Sequence, residues 1–186
     1  LEKHRGEPVF LFGFTFMVWQ YFYQACVLAG KTYDLSKGIL VHGGGWKKLT
    51  EQAVSNDVFK VRLRKQFGLM HIHNYYGMVE QVGSIFIECE HGHFHAPAYA
   101  DIIIRDENTL EVLPAGQKGL IQVLSILPKS YPGHSLLTED VGTWLGEDDC
   151  PCGRLGKYFA VEGRLPKAEL RGCSDTHAYA LGGSRL

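Results

Sequence analysis

Eight consecutive residues, His73-Asn74-Tyr75-Tyr76-Gly77-Met78-Val79-Glu80, follow an apolar run and combine a planar amide, two aromatic rings, a glycine and a carboxylate. Such groups suit a nucleotide. An aromatic ring can lie on a purine, and a neighbouring amide can read the base edge through its paired donor and acceptor. Gly77 lets the backbone approach closely. Glu80 could hold a magnesium ion beside phosphate oxygens, because that cation takes oxygen ligands shared between protein and substrate. A second reading stays open: a strand leaving the core into a turn, with both tyrosines half-buried and Glu80 solvated.

Gly43-Gly44-Gly45 offers main-chain amides and carbonyls with no side chains to obstruct a flat ring or a phosphate, although a tight turn would also use three glycines. The spacing GxxxxGK[ST] of a phosphate-cradling loop is absent. Cys89, His91, His93 and His95 alternate within seven residues, and Cys150-Pro151-Cys152 follows later. Zinc takes four soft or borderline ligands in a tetrahedron, and two short knuckles from separate segments can supply them. The expected ligands are Cys89, Cys150, Cys152 and one histidine, with His95 preferred because a turn at Gly92 folds the chain back before it. Free thiols beside exposed histidines are the other reading. Cys173 stands apart, with Arg171 near it to favour the thiolate and His177 four residues on as a base if the segment is helical; an inert cysteine is the alternative.

These groups need elements to hold them. Val9 to Phe14 reads as a fully buried strand, and Thr15 to Ala29 as a helix closed by Gly30. Gly38 to His42 is a short apolar strand running into the three glycines. Ser55 to Gln66 reads as an amphipathic helix, capped by Ser55 and stopped by Gly68, with Val54, Val58, Val61 and Leu63 inward. Leu69 to Tyr75 is the next strand. This alternation predicts an α/β fold of parallel strands with helical crossovers, whose ligands sit beyond the carboxyl ends of strands. From Ser84 the period changes. Ser84 to Glu88, Ala100 to Arg105, Thr109 to Leu113 and Gly119 to Leu127 predict a β-rich meander or distorted barrel, with Asp106-Glu107-Asn108 and Pro114-Ala115-Gly116 as turns. The expected division is an α/β portion over 1–83, a β-rich subdomain over 84–130 and a Cys/Gly/Arg-rich segment over 131–186, with Pro128 to Gly133 as the loop before the last.

The chain has 186 residues, 45% of them hydrophobic, which is enough for a buried core. A formal net charge of -1 gives no basic field for nucleic acid and no polybasic membrane patch. Any nucleotide is therefore a small molecule. The apolar Phe10 to Leu28 stretch is interrupted by Gly13, Thr15 and Gln20, and reads as buried structure in place of a signal peptide or membrane span. Five cysteines, an odd number lying among histidines, argue for a reduced, cytoplasmic setting over a disulfide framework.

Asn74-Tyr75-Tyr76-Gly77-Met78-Val79-Glu80 resembles the N-x-Y-G-x-T-E motif of the acyl-adenylate-forming enzymes, with Val79 where the motif carries a hydroxyl residue that touches the α-phosphate. Three further segments agree in order. Glu111 to Gly119 resembles a turn between two strands of those enzymes, Thr138-Glu139-Asp140 their T-x-D motif, and Gly163-Arg164 their G-R pair. Gly43 to Lys47 and Arg171-Gly172-Cys173-Ser174-Asp175 are most similar to the LuxE acyl-protein synthetases, beside the phenylacetate-CoA ligases. The resemblance runs from about Val9 to His177.

It implies that Gly43, Gly44, Gly45 and Tyr75 or Tyr76 flank adenine, that Asn74 reads its edge, and that Asp140 and Arg164 hold ribose. Glu80 helps bind Mg2+, and Cys173 accepts the acyl group as a thioester. The implied function is ATP-dependent activation of a fatty acid or other carboxylic acid to acyl-AMP, then transfer through Cys173 to an acyl-reductase partner. A phenylacetate-type acyl-CoA ligase and a non-catalytic, zinc-stabilised binding module are the alternatives. The Ser/Thr/Gly-rich phosphate loop of the superfamily does not occur in these residues, so the chain is expected to correspond to a C-terminal part with little adenylation activity by itself.

Overall fold

The computed structural model describes residues 1–4, 6–129 and 131–165. They form two compact units that meet in sequence between Asn74 and Tyr75.

The first unit is a layered α/β assembly. Strand β1 (Phe10–Phe14) pairs in parallel with β2 (Ile39–Gly43), in register from Phe10↔Ile39 to Phe14↔Gly43. β3 (His71–Tyr76) lies beside β2. A parallel pair needs a crossover. Here it is a helix running through Thr15–Met17, a π-helical stretch Val18–Gln24 and Ala25–Leu28. The chain leaves that helix by bonds from Gly30 N–H to Val27 C=O and from Lys31 N–H to Cys26 C=O, the paired pattern that satisfies terminal carbonyls.

The helix Asn56–Phe67 starts at Ser55, whose hydroxyl accepts the Val58 N–H at 3.3 Å, and ends at Gly68 in the left-handed region with φ 72. Both ends follow from the sequence. Its buried stripe follows only in part: Leu63 faces the core and Val54 packs against it as expected, but Phe59 and Phe67 join Leu63 and Val58 and Val61 are exposed. The spacing of four carries the larger rings onto one face, where Phe67 stacks on Phe22 at 4.4 Å and Phe59 lies 5.9 Å from Trp19. Leu40, Leu69 and Ile72 complete this core. β1 departs from expectation too, because Phe10 and Phe12 are 67% and 64% exposed and only the alternate face is covered.

The second unit is antiparallel. The end of β3 pairs with β4 (Phe86–Glu88), and the order continues through β5 (Phe94–His95), β9 (Lys157–Arg164), β8 (Ser135–Glu147), β7 (Lys118–Ser125) and β6 (Ala100–Arg105). Strands β6 to β9 form a meander, of which β6 and β7 lie in the stretch expected to be β-rich. Its core is Phe86, Phe94, Ile102, Ile104, Ile121, Val123 and Phe159. Thr109 to Leu113 is not a strand; only Val112 makes a bridge, to Arg105. Strands β8 and β9 lie within the expected Cys/Gly/Arg-rich segment, and Pro128 to Gly133 falls in the connection between the paired strands β7 and β8.

Candidate functional site

In the first unit, the three glycines lie where β2 ends, and buried side chains hold them from behind. Thr15 and His42 are 7% and 1% exposed. The Thr15 hydroxyl donates to the Gly43 carbonyl at 3.1 Å and stands 3.0 Å from His42 Nδ1. With the hydroxyl proton committed to Gly43, Nδ1 must carry the imidazole proton and donate it to Thr15. His42 Nε2 is then a buried lone pair, and it has no hydrogen-bond partner. Burial, with the charges of Lys60 and His73, pulls His42 from 6.5 down to about 3, so the ring stays neutral. On the other side Gly44 and Gly45 are exposed, with Gly44 at φ 71 and nothing within contact distance of a side chain at Gly45. Main-chain groups are what this segment can offer a ligand. Asn74, half-buried in β3, is the last described residue of this unit.

The second unit offers side chains. Tyr76 Oη donates to Asp140 Oδ2 at 2.8 Å, and Arg164 Nε donates to Asp140 Oδ1 at 3.0 Å. The strand register places Asp140 opposite Arg164. Thr138 fixes the turn of the carboxylate's own backbone, accepting the Asp140 N–H at 3.1 Å while donating to the Ile121 carbonyl at 2.7 Å. Burial raises the Tyr76 phenol well above its ordinary value, and the Asp140 charge adds to this, so Tyr76 is a permanent donor. Its ring is in the core, 6.0 Å from both Phe86 and Phe159. Each Asp140 oxygen therefore has one fixed donor and spare acceptor capacity, which suits a pair of vicinal hydroxyls.

Glu80 is exposed on the short turn Val79–Gln81. Gln81, which no motif singles out, is fully buried and donates to the Val123 and Gly133 carbonyls at 3.1 and 2.8 Å. It ties the Glu80 turn to β7 and to the end of the β7–β8 connection. Gly77 is closely packed: a side chain there would come within 3.1 Å of the Ser84 carbonyl.

Cys89, His95, Cys150 and Cys152 converge, with one ligand atom from each lying within 4.8 Å of all the others. Two tight turns present them. Gly92 N–H donates to Cys89 C=O at 3.0 Å, and Gly153 N–H to Cys150 C=O at 2.9 Å. Three of the four are buried, and Cys152 Sγ is 3.4 Å from His95 Nε2. Sulfur ligands about 2.3 Å from a tetrahedral ion stand roughly 3.8 Å apart, so this donor set and span fit zinc. Burial pushes the Cys150 thiol up to about 11 and holds His95 below its ordinary value, leaving neutral groups that a cation would convert to a thiolate ligand and a free imidazole ligand. His91 is exposed. His93 is half-buried, its Nδ1 3.4 Å from Cys150 Sγ and its ring stacked on Tyr158 at 5.1 Å. Cys173 lies outside the described residues.

Among solved structures this fold is that of adenylate-forming ligases. An open conformation of 2-hydroxyisobutyryl-CoA ligase matches with a TM-score of 0.66 at 17% identity, over 94% of this chain and 41% of that one. ATP-bound MatB from Rhodopseudomonas palustris matches at 0.55 and 16%, over 84% and 31%. The amide bond synthetase McbA from Marinactinospora thermotolerans matches at 0.55 and 22%, over 85% and 31%. The family model for the acyl-protein synthetase LuxE covers residues 2–182, and the chain belongs to that family. A curated relative, the long-chain-fatty-acid--luciferin-component ligase of Vibrio harveyi, is 26% identical over an alignment of 186 positions that covers 96% of this chain and 47% of the relative. The chain thus spans about half the length of that relative.

Proposed function

We propose that this chain is the adenosine-holding, acyl-transferring part of an ATP-dependent fatty-acid activating enzyme. The observation that carries the reading is the Asp140 carboxylate, held by Tyr76 and Arg164 in a chain of the LuxE family. Asp140, with Arg164, takes the ribose hydroxyls. In the first unit the main chain of Gly43, Gly44 and Gly45 and the Asn74 amide suit adenine; in the second a ring of the Tyr75-Tyr76 pair suits stacking on a base. Glu80 is a ligand for Mg2+, which when bound would offset phosphate charge. Structural Zn2+ is the matching occupant of Cys89, His95, Cys150 and Cys152.

The chemistry has a required order. A carboxylate is a poor electrophile, so its oxygen displaces pyrophosphate from ATP to give acyl-AMP, with positioned donors stabilising the charge that develops. The Cys173 thiolate then attacks the acyl carbonyl, forming the thioester and releasing AMP, and the acyl group passes to a reductase. The setting is cytoplasmic, and no helix among the described residues is long and apolar enough to cross a membrane.

The test uses the full-length protein with ATP, Mg2+, CoA and a radiolabelled fatty acid. Hydroxylamine-sensitive label on protein, lost in Cys173→Ser, is the expected result. Label on CoA would assign a phenylacetate-type ligase instead. Absence of AMP formation would leave a binding module.

A further inference from the structure

The Tyr76–Asp140 bond crosses the weakest seam of the second unit. β4 has three residues and β5 two. They pair only at Ile87↔His95 and Glu88↔Phe94, and β5 meets β9 only at Phe94↔Phe159 and His95↔Tyr158. By contrast β6 and β7 pair over six positions, from Ala100↔Ser125 to Arg105↔Leu120. Pairings of two residues are marginal in water. One side of this seam carries Tyr76, on the strand beside β4, and the other carries Asp140 and Arg164, on β8 and β9.

The Cys/His cluster spans the same seam. Cys89 follows β4, His95 is in β5, and Cys150 and Cys152 occupy the turn joining β8 to β9. A four-coordinate ion there would cross-link every strand of the seam, closing a loop of some sixty residues between Cys89 and Cys150, the kind of link that restricts the unfolded chain most. All four positions are filled by protein, so no site is left for substrate, and the role is structural. His93, next to Cys150 Sγ, is placed to donate to a thiolate and so offset part of the charge of three sulfurs.

We infer that the Cys89–His95–Cys150–Cys152 centre is a distal positioning element for the nucleotide site: metal bound at one end of the β4–β5–β9 seam keeps Tyr76 and Asp140 within hydrogen-bonding reach. This rests on the ribose-binding reading of Asp140. It assigns the metal a function without contact to the nucleotide.

The full-length protein, prepared metal-replete, should contain one zinc per chain and give thiolate-to-cobalt charge-transfer bands when Co2+ is exchanged in. Removing the metal, by chelation or in Cys150→Ser/Cys152→Ser, should speed amide exchange in β4, β5 and β9 and leave β6 and β7 protected. AMP affinity should fall about tenfold, a typical coupling between separated sites. His95→Cys, which keeps four ligands, should retain metal, protection and affinity, and so distinguishes positioning from general misfolding. A metal-free protein, or a seam whose exchange ignores the metal, overturns the inference. Wild-type protein whose seam responds to metal but which binds no AMP would overturn the nucleotide reading and leave the structural role of the metal supported.

Discussion

The two units present their polar groups in opposite ways. In the first, an apolar core of Trp19, Leu40, Phe59, Leu63 and Phe67 supports a strand end whose outward groups are main chain, at Gly44 and Gly45. In the second, the outward groups are side chains, and other side chains fix them: Tyr76 and Arg164 hold Asp140, and Gln81 holds the turn of Glu80. A backbone surface is only as well placed as the packing beneath it. A carboxylate is only as well placed as its donors. Core volume should therefore govern the first unit, and single hydrogen bonds the second.

The largest effect tests the first half of that contrast. Phe59 is 1% exposed and touches Trp19, Trp46 and His42. Phe59→Ala should destabilise the first unit by about 3–5 kcal/mol, read as a shift of the urea midpoint. An unchanged midpoint would mean that the rings are not what supports the glycine segment. In the second unit Gln81→Leu keeps the volume but removes a hydrogen bond from each of two buried carbonyls, at Val123 and Gly133. The expected cost is about 2–3 kcal/mol, accompanied by a higher Mg2+ requirement for pyrophosphate exchange in the full-length protein. If stability fell and the Mg2+ dependence did not move, Gln81 would be holding the sheet and not the Glu80 turn.

The contrast also decides what could be read from the amino-acid sequence. The alternation of the first unit was legible because strand, helix and cap signals are local: Ser55 and Gly68 bound their helix as expected. Its inward face was legible only in part, since Val58 and Phe59 are both apolar neighbours and only the element packed opposite, with Trp19 and Phe22, selects the phenylalanines. In the second unit, β8 reads Ser-Leu-Leu-Thr-Glu-Asp-Val-Gly-Thr-Trp-Leu-Gly-Glu, with charges and glycines that local propensity scores as loop. It is a strand because β7 and β9 flank it on both sides, with register shifts that absorb the irregularity. The four Cys/His residues were nameable together because ligand chemistry is written in residue type and needs no periodicity. Gln81 carries no such mark.

His42 qualifies the contrast, since it is a polar group inside the apolar unit. Its ordinary value of 6.5 falls to about 3 in the fold, so the unfolded chain takes up a proton that the native state refuses. The sign follows directly: the contribution is complete above about pH 6.5 and is lost progressively as the pH falls toward 3. Each pH unit in that window should remove about 1.4 kcal/mol, roughly 2 kcal/mol between pH 6.5 and 5. Urea titrations at the two pH values measure it, and His42→Asn should flatten the dependence. A wild-type slope that survives in the variant would assign the effect to other groups.

The smallest effect compares like with like. Ser55 caps its helix through the Val58 N–H, and Asp106 does similar local work in the second unit, accepting the N–H groups of Asn108 and Thr109 at 2.9 and 2.8 Å. Those bonds hold the Asp106 carboxyl below its usual range. Ser55→Ala should cost about 1 kcal/mol. Because a frayed first turn leaves Leu63 and Phe67 packed, the glycine segment should keep its place and AMP affinity should stay within about twofold, less than 1 kcal/mol. A larger loss of affinity would show that the backbone surface depends on the ends of its supporting helix as well as on the core between them, and the division between packing in one unit and hydrogen bonds in the other would have to be redrawn.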